Sequence, residues 1–282
     1  MADLFNQTMT TLERSLTCEL IASDLTGSIL PLETSEAEIL ALALEHQFSR
    51  VPLQTAGQAI VSHVALVDLQ QQQIQDRRAV LPQDLISGDT PLGRVPQILQ
   101  EREFCFVLVQ DRIQKILTRS DLNKLPMRVY LTTLLVHLEG TLTEAIEAVL
   151  PNDAWKALIK SERVDKIQAL FEEKKAADFD TRLIDCTMLS DKITIIKKSD
   201  QLSEKMPLPS NKKTKKQLGR INSLRDRLAH TLPPITEEPD LLRNHLYHGQ
   251  QLVKVRDVEW LTETVGLLNA WIDGLTNPDE AV

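Results

Sequence analysis

The feature that most constrains the fold of this chain is an internal repeat in its first half, at an offset of 56 residues. Phe48 aligns with Phe104, and Val51 aligns with Val107. Each copy begins with a polar segment that starts a helix. It continues into an apolar strand rich in β-branched and aromatic residues and then enters a second strand. The sequence therefore predicts two similar units of helix and strand in tandem.

The segments around the two copies follow equally simple patterns. Ser35 and Glu38 have the spacing of a capping box, which marks the start of the first repeat helix. Residues 1–16 have the pattern of a short amphipathic helix that leads into the fold. The polar stretch Gln70–Gln73, followed by IQDRRA, joins the two copies. We interpret this stretch as a surface helix or loop.

Two β-α-β-β-α units in tandem resemble a CBS domain pair, a regulatory module that binds adenosine nucleotides between its halves. The phrases SRVPL (Ser49–Leu53) and ILTRSDL (Ile116–Leu122) carry the resemblance, which covers residues 17 to about 125. In that family a Thr/Ser-x-x-Asp at the end of the last strand holds the nucleotide. In this chain those positions are Thr118 and Asp121. The resemblance implies an adenine nucleotide of the AMP, ADP or ATP class as a regulatory ligand.

The chemistry of the TRSD run suits that role. The Thr118 hydroxyl at a strand end can donate to a phosphate, and Arg119 adds positive charge. The Asp121 carboxylate can accept hydrogen bonds from both ribose hydroxyls. Only one of two pseudo-equivalent sites has the hydroxyl, because Ala65 takes its place in the first copy. The alternative is that Ser120 or Asp121 simply caps the helix that follows.

Beyond Leu125–Pro126 the strand signals stop, and residues 126–282 have the pattern of an all-helical domain. One helix is predicted over Ile221–His230, and the Pro233–Pro234 pair ends it. Its apolar residues are spaced i, i+3 and i+7, so one face is expected to be buried; they are Ile221, Leu224 and Leu228.

The polar faces of that helix carry Arg225, Asp226 and His230. Arg225 and His230 lie roughly 140° apart around the helix axis. One helix therefore cannot direct both at one substrate atom, whereas two facing copies can. The Arg-x4-His spacing resembles the HEPN ribonucleases, which have a polar residue after the Arg and build the active site between two protomers.

The HEPN resemblance implies a homodimeric, metal-independent endoribonuclease that needs no cofactor. His230 would act as general acid or base at the RNA 2′-hydroxyl, and Arg225 would stabilise charge on the phosphate. The products would be a 2′,3′-cyclic phosphate and a 5′-hydroxyl. The alternative is that Arg225 and Arg227 form a solvated face and that His230 caps the helix C-terminus.

Charge is distributed unevenly along the chain. The net charge is −8, yet the segment 197–227 holds ten basic and three acidic residues, a net of +7. A basic stretch leading into the Arg/His helix is where RNA would be captured. A solvated lysine-rich loop is the alternative. The candidate RNA-binding residues are Lys212, Lys213, Lys215, Lys216, Arg220 and Arg227.

Several classes of protein do not fit the sequence. The three cysteines are far apart and form no C-x-x-C, so they indicate buried thiols rather than a disulfide framework or a metal site. No stretch approaches the roughly 20 apolar residues of a membrane helix, and the N-terminus lacks a secretory signal. We therefore expect a cytoplasmic protein with no membrane partner. No P-loop, dinucleotide fingerprint or zinc-protease motif is present.

The predicted fold class is α+β, with a lead helix (1–16), a CBS-like pair (17–125) and an all-α HEPN-like bundle (126–282). Two functions fit this organisation. One is an endoribonuclease regulated by an adenine nucleotide. The other is a non-catalytic regulatory or interaction protein that senses the nucleotide and relays it to a partner. The sequence leaves open whether the chain is an enzyme.

Overall fold

The computed structural model describes residues 2–46, 50–57, 59–68, 73–207 and 255–276, together with nine residues between positions 216 and 228. The chain divides into two compact units. We call Leu12–Met127 the β unit, and Met1–Thr11 with Arg128–Val282 the helical unit. The fold class is α+β, as predicted. The predicted N-terminal helix is confirmed as α1, Ala2–Ser15.

The described residues of the β unit form two four-stranded sheets and two helices that lie wholly within it. In chain order its elements are β1 (Ser23–Asp24), β2 (Leu30–Pro31), α2 (Glu36–His46), β3 (Arg50–Gln54), β4 (Ile60–Asp68), β5 (Gln73–Ala79), β6 (Leu85–Ser87), α3 (Val95–Glu101), β7 (Phe104–Val109) and β8 (Arg112–Thr118). The strand orders are β2-β3-β4-β5 and β1-β8-β7-β6. Each sheet therefore contains one strand-helix-strand-strand copy of the repeat plus one further strand.

The further strand in each sheet comes from the segment that leads into the other copy. β1 precedes β2 along the chain, yet it pairs antiparallel with β8, with Ser23 opposite Ile116. β5 precedes β6, yet it pairs antiparallel with β4, with His63 opposite Arg78. Each copy of the repeat thus completes the sheet of the other.

The predicted surface helix or loop is wrong for Gln73–Ala79, which form strand β5, and Gln70–Gln72 lie outside the described residues. Polar residues are tolerated in this strand because it lies at the end of the strand order, and Ile74 is the described β5 side chain that packs against the apolar cluster. The predicted second helix of the first copy is therefore not formed by these residues. After β8, a 3₁₀ turn (Arg119–Asn123) stands at the start of the other predicted helix.

One face of the β2-β3-β4-β5 sheet packs against α2. Val51, Leu53 and Val64 are buried there, together with Ile39 and Ala43 of the helix. The predicted capping box at the start of α2 is confirmed: the Ser35 amide donates to Glu38 at 3.2 Å, and the Glu38 amide donates to Ser35 Oγ at 3.4 Å. Side chains alternate between the two faces of a strand. The residues between these core positions must therefore point to the opposite face of the sheet.

The helical unit contains α4 (Leu125–Val149, whose first residues belong to the β unit), α5 (Ser161–Ala176), α6 (Leu189–Lys198), α7 (Asp200–Lys205) and α8 (Val255–Thr276). The described residues between positions 216 and 228 are helical as well. The predicted apolar face of this segment is confirmed, since Ile221, Leu224 and Leu228 are all buried. The Arg128 guanidinium of α4 donates to the Leu228 carbonyl at 2.7 Å, which ties this segment to α4.

Polar contacts join the helices at buried and half-buried positions. The ammonium of Lys192 is buried and lies 3.2 Å from Glu139, and it also donates to the Thr187 carbonyl at 2.9 Å. His137 Nε2 of α4 lies 2.8 Å from Asn269 Oδ1 of α8. A buried charge is tolerated only when it is paired in this way.

The strand exchange predicts that neither copy of the repeat folds alone. A fragment of residues 12–72 lacks β5, and a fragment of residues 73–127 lacks β1, so each exposes an unpaired sheet edge. We expect both fragments to be unfolded or aggregated in far-UV circular dichroism, and to regain structure when they are co-expressed. A single fragment with well-dispersed amide resonances would contradict the exchanged topology.

Candidate ligand-binding site

The predicted nucleotide-binding residues Thr118, Arg119 and Asp121 lie together at the end of β8. Asp121 is buried, with only 2% of its surface exposed. Its Oδ2 accepts hydrogen bonds from the Thr118 amide at 2.6 Å and from the Thr118 hydroxyl at 2.9 Å. This is a capping box for the 3₁₀ turn that follows the strand.

The other oxygen of Asp121 is also in use. Oδ1 lies 2.7 Å from the Lys124 ammonium and accepts a hydrogen bond from the Ser23 hydroxyl at 3.0 Å. Lys124 in turn donates to the Ile21 carbonyl at 2.6 Å. Arg119 is engaged as well, because its Nε donates to the Leu99 carbonyl at 2.9 Å. The TRSD run therefore fastens β8 to β1 and α3, as in the capping alternative, and Asp121 would have to give up these contacts to hold a ribose.

A different part of the β unit contains a cavity of about 540 Å³. We call it the arginine cavity. Its polar and aromatic lining comes from Arg50, His63, Arg78, Gln83, Asp84, Arg102, Glu103 and Phe104. These residues belong to β3, β4, β5, the 3₁₀ turn Pro82–Asp84 and the segment from the end of α3 into β7, so both copies of the repeat contribute.

Sheet register explains why these side chains converge. His63 is paired with Pro52 on one side and with Arg78 on the other. Directly paired residues share a face, and so do residues two apart along a strand. Arg50, His63 and Arg78 therefore lie on the face opposite the α2 cluster. Arg77 takes the α2 face, and its guanidinium donates to the Thr34 carbonyl at 3.3 Å.

Arg50 is held between an aromatic ring and a carboxylate. Its guanidinium carbon lies 3.9 Å from the centroid of the Phe104 ring, a cation–π contact. Its Nη2 lies 2.8 Å from Glu103 Oε2. Burial lowers the pKa of Arg50, and the Glu103 carboxylate opposes that change. The guanidinium is thus a fixed positive charge at the wall of the cavity.

His63 is the most buried polar residue of the lining, with 3% of its surface exposed. Its ring contacts Phe104 and Phe106 edge to face, at centroid distances of 5.2 and 5.5 Å. Its Nδ1 is buried and has no hydrogen-bond partner among the described residues. Burial lowers the pKa of His63, the Arg50 and Arg78 charges lower it further, and Asp84 opposes them. The imidazole is therefore neutral at physiological pH.

Three guanidinium groups and two carboxylates, Asp84 and Glu103, line the cavity around the buried ring nitrogen, so the lining holds both donors for an anion and charges that oppose one. Arg102 completes the rim and donates to the Gln83 carbonyl. Guanidinium groups recognise phosphate and carboxylate through paired N–H donors. A cavity of this volume is in the range that holds small-molecule ligands, roughly 300–1,000 Å³.

Sequence reasoning did not identify these residues. Arg50 belonged to the SRVPL phrase and His63 to a recognised strand, but Arg78 lay in the stretch interpreted as a linker. Alternation counted from Ile74 fails, because the register of β5 against β4 shifts between Asp76 and Ile74. The usable signal was the pair of adjacent arginines, Arg77 and Arg78, in the segment IQDRRA. Read as a strand, it would have placed Arg78 on a face opposite Arg77.

A second cavity, of about 260 Å³, lies in the helical unit and is lined in part by Arg225. Arg163, Lys166, Glu139 and Asp185 also line it. Arg163 forms a two-pronged pair with Asp191, with Nη2–Oδ2 and Nε–Oδ1 distances of 2.7 and 3.0 Å. The Arg225 side chain is exposed and belongs to the helical segment tied to α4. The structure thus places one of the three predicted catalytic residues beside other cations.

The remaining predicted residues divide into two groups. Lys216 is exposed and Arg220 is half-buried, and both are helical. The other candidate catalytic and RNA-binding residues lie outside the described residues, namely Lys212, Lys213, Lys215, Asp226, Arg227 and His230.

Within the described ranges, no group of three or more His, Cys, Asp or Glu side chains is arranged to hold a metal ion. None of the helices described here has the length and apolar character needed to span a bilayer. The three cysteines are buried free thiols, as predicted.

No family model matches the chain, and no curated protein matches it.

The contacts of Asp121 predict a structural role that can be measured. Asp121→Ala should lower the free energy of unfolding of the β unit by about 2–3 kcal/mol, because a buried cap and the acceptor for Lys124 are lost. Urea unfolding followed by far-UV circular dichroism should show the change. Tryptophan fluorescence should not, because Trp155, Trp260 and Trp271 all belong to the helical unit.

Asp89→Ala is the matched control, since that carboxylate is on an exposed residue of the same unit. If Asp121→Ala keeps full stability and instead loses nucleotide binding, the carboxylate is a ligand contact rather than a cap.

Proposed function

We propose that the chain is a sensor of an adenine nucleotide and that the nucleotide binds in the arginine cavity of the β unit. The observation that carries the proposal is the buried Nδ1 of His63, unpartnered among the described residues, in a cavity lined by three arginines. The adenine nucleotide class itself comes from the resemblance of residues 17–125 to CBS domain pairs.

The cavity suits the phosphate part of such a ligand best. Arg50, Arg78 and Arg102 supply donors in fork geometry, and the His63 ring can supply one more. The cation–π contact with Phe104 fixes the Arg50 guanidinium before any ligand arrives. A donor that is already ordered loses less entropy on binding. The apolar lining, Ala79 and Leu81, is small and lies at one side.

The proposal moves the nucleotide away from the TRSD run. Thr118 and Asp121 then act by holding β8 against β1 and α3. If the chain is a regulatory protein, the β unit would respond to the bound nucleotide by signalling to a partner protein or to the helical unit.

Arg77 and Arg78 provide a matched pair of variants on one strand. Arg78→Gln should weaken binding of AMP, ADP or ATP by about 10- to 100-fold, because a charge-assisted hydrogen bond contributes roughly 1.5–3 kcal/mol. Arg77→Gln removes the same charge from the α2 face and should change affinity less than about two-fold, since only screened long-range charge is lost. Isothermal titration calorimetry of the full chain gives both numbers. Equal losses in the two variants would mean that the nucleotide binds elsewhere.

A second candidate function is the nucleotide-regulated endoribonuclease. The observation that favours it is the position of Arg225 at a cavity that Lys166 also lines, since two cations can hold an RNA phosphate. Arg163 lines the same cavity but is paired with Asp191, and Glu139 and Asp185 add negative charge. In this proposal His230 is the general acid or base, Asp226 is the polar residue of the motif, and two copies of the chain complete the site.

The ribonuclease proposal predicts that two kinds of variant fail differently. His230→Ala should lower RNA cleavage by about 10²- to 10⁴-fold and leave RNA binding nearly unchanged, since a proton-transfer group adds little affinity. Changing Lys212, Lys213, Lys215 and Lys216 to Gln should weaken binding and reduce its salt slope by about 0.7 per lost phosphate contact. Fluorescence anisotropy at several salt concentrations measures binding, with cleavage assayed in parallel.

The prediction that two copies of the chain form one active site can be tested separately. Mixing the inactive Arg225→Ala and His230→Ala chains should restore part of the activity if each copy contributes one residue to a shared site. Cleavage by His230→Ala at the wild-type rate would end the ribonuclease proposal and leave the sensor.

A further inference from the structure

We infer that a phosphate group bound in the arginine cavity displaces the Glu103 carboxylate from Arg50 and brings a proton to His63, so that nucleotide affinity rises as the pH falls. This inference rests on the proposed nucleotide site and concerns its regulation. It assigns separate roles to Glu103 and His63, which the sequence did not single out.

Glu103 occupies the position that an anionic ligand would take. Its carboxylate lies 2.8 Å from Arg50 Nη2, and its side chain is 78% exposed whereas that of Arg50 is 15% exposed. The carboxylate therefore reaches a largely buried guanidinium from the solvent side. A phosphate can replace it at low cost, because an exposed carboxylate regains its hydration when it leaves. Phe104 keeps the guanidinium in place during the exchange.

His63 is the second element of the switch. Its ring is held by Phe104 and Phe106, and its Nδ1 is buried without a partner among the described residues. An ionised phosphate oxygen accepts hydrogen bonds, so Nδ1 must carry a proton to bind it, and either the neutral Nδ1–H tautomer or the imidazolium supplies that proton. In the imidazolium form both ring nitrogens carry protons, and the added charge attracts the phosphate.

The charges around His63 set the direction of the effect. Arg50 of β3 and Arg78 of β5 face it, and with burial they hold its pKa below the ordinary value of 6.5. Asp84, in the 3₁₀ turn after β5, acts in the opposite sense. Arg102 and Glu103 line the same cavity from the end of α3. A dianionic phosphate would reverse the local field and raise the pKa of His63.

At a pH between the lowered pKa of His63 in the free protein and its raised pKa in the complex, the protein takes up a proton when the nucleotide binds. Affinity then increases as the pH falls, by at most about tenfold per pH unit for one proton. The effect ends once the pH is below the pKa of the free protein, because His63 is then charged in both states. The ligand phosphate also gains a proton near pH 6, and the loss of negative charge weakens its binding as the pH falls. A His63 variant is therefore needed to separate the two effects.

The test is calorimetric titration of ADP into the full chain between pH 6.5 and 8.0. Each titration is run in two buffers of different ionisation enthalpy, so that proton uptake is counted directly. We expect uptake of a substantial fraction of a proton near neutral pH and an affinity at least about three-fold higher at pH 6.5 than at pH 8.0. His63→Gln should bind more weakly and take up no proton. Glu103→Gln should bind several-fold more tightly, whereas Glu101→Gln, an exposed neighbour at the end of α3, should match the wild type.

The results of these titrations test the inference and the proposed nucleotide site separately. ADP binding by the wild type without proton uptake would overturn the role of His63 and leave the nucleotide site standing. Unchanged or weaker binding by Glu103→Gln would overturn the competition with Glu103. No binding of AMP, ADP, ATP or inorganic tripolyphosphate would overturn the proposed site and the inference together. If the His63→Gln variant does not fold, the number of protons that the wild type takes up on binding ADP still tests the role of His63.

Discussion

The antiparallel pairing of β4 with β5 is the interaction on which the candidate site depends. It brings a strand from the segment between the two copies onto the sheet of the first copy, with His63 directly opposite Arg78. Without it, His63 would lie near the end of a three-stranded sheet, with one arginine beside it instead of two. The same register sends Arg77 to the opposite face, where it contacts the loop before α2. The site is therefore a consequence of strand exchange between repeats, and a single copy could not form it.

The parts of the fold that were predictable from sequence are those in which neighbouring residues determine the structure. The capping box of Ser35 and Glu38 is local, and so is the buried stripe of Ile221, Leu224 and Leu228. The repeat was visible because its central strands, β3 and β7, are apolar. Strand β5 was missed because a strand that pairs on one edge only can be almost entirely polar, and polar stretches are otherwise typical of loops. The arginine cavity was missed for a related reason, since its residues come from five separate segments whose register only the folded sheets define.

Thr118 and Asp121 show why a motif alone does not define a binding site. A hydroxyl and a carboxylate three residues apart can hold a nucleotide, and they can equally satisfy the backbone at the start of a turn. In this chain a lysine is placed within 2.7 Å of the carboxylate, and Ser23 of β1 donates to it as well. A ribose would have to replace four contacts on a buried group, and each contact that it did not replace would leave a desolvated partner. The arginine cavity, where His63 Nδ1 has no hydrogen-bond partner among the described residues, is the better candidate for binding a ligand.

The arginine cavity has the signs of a site shaped by function rather than by stability. Placing Arg50 and Arg78 beside a buried imidazole disfavours the charged form of His63, and leaving Nδ1 without a partner costs further free energy. A well-packed apolar contact between the two sheets would avoid both costs. Natural sequences depart from such packing mainly at functional sites, where the unfavourable terms are relieved by a bound ligand. An anion that contacts Arg50, Arg78 and His63 together would offset the repulsion between the positive charges and give Nδ1 a hydrogen-bond partner. Removing these unfavourable contributions to the free energy would increase the affinity for the anion. These costs are the physical reason for proposing that a ligand binds in the cavity rather than at the TRSD run, whose polar groups are satisfied.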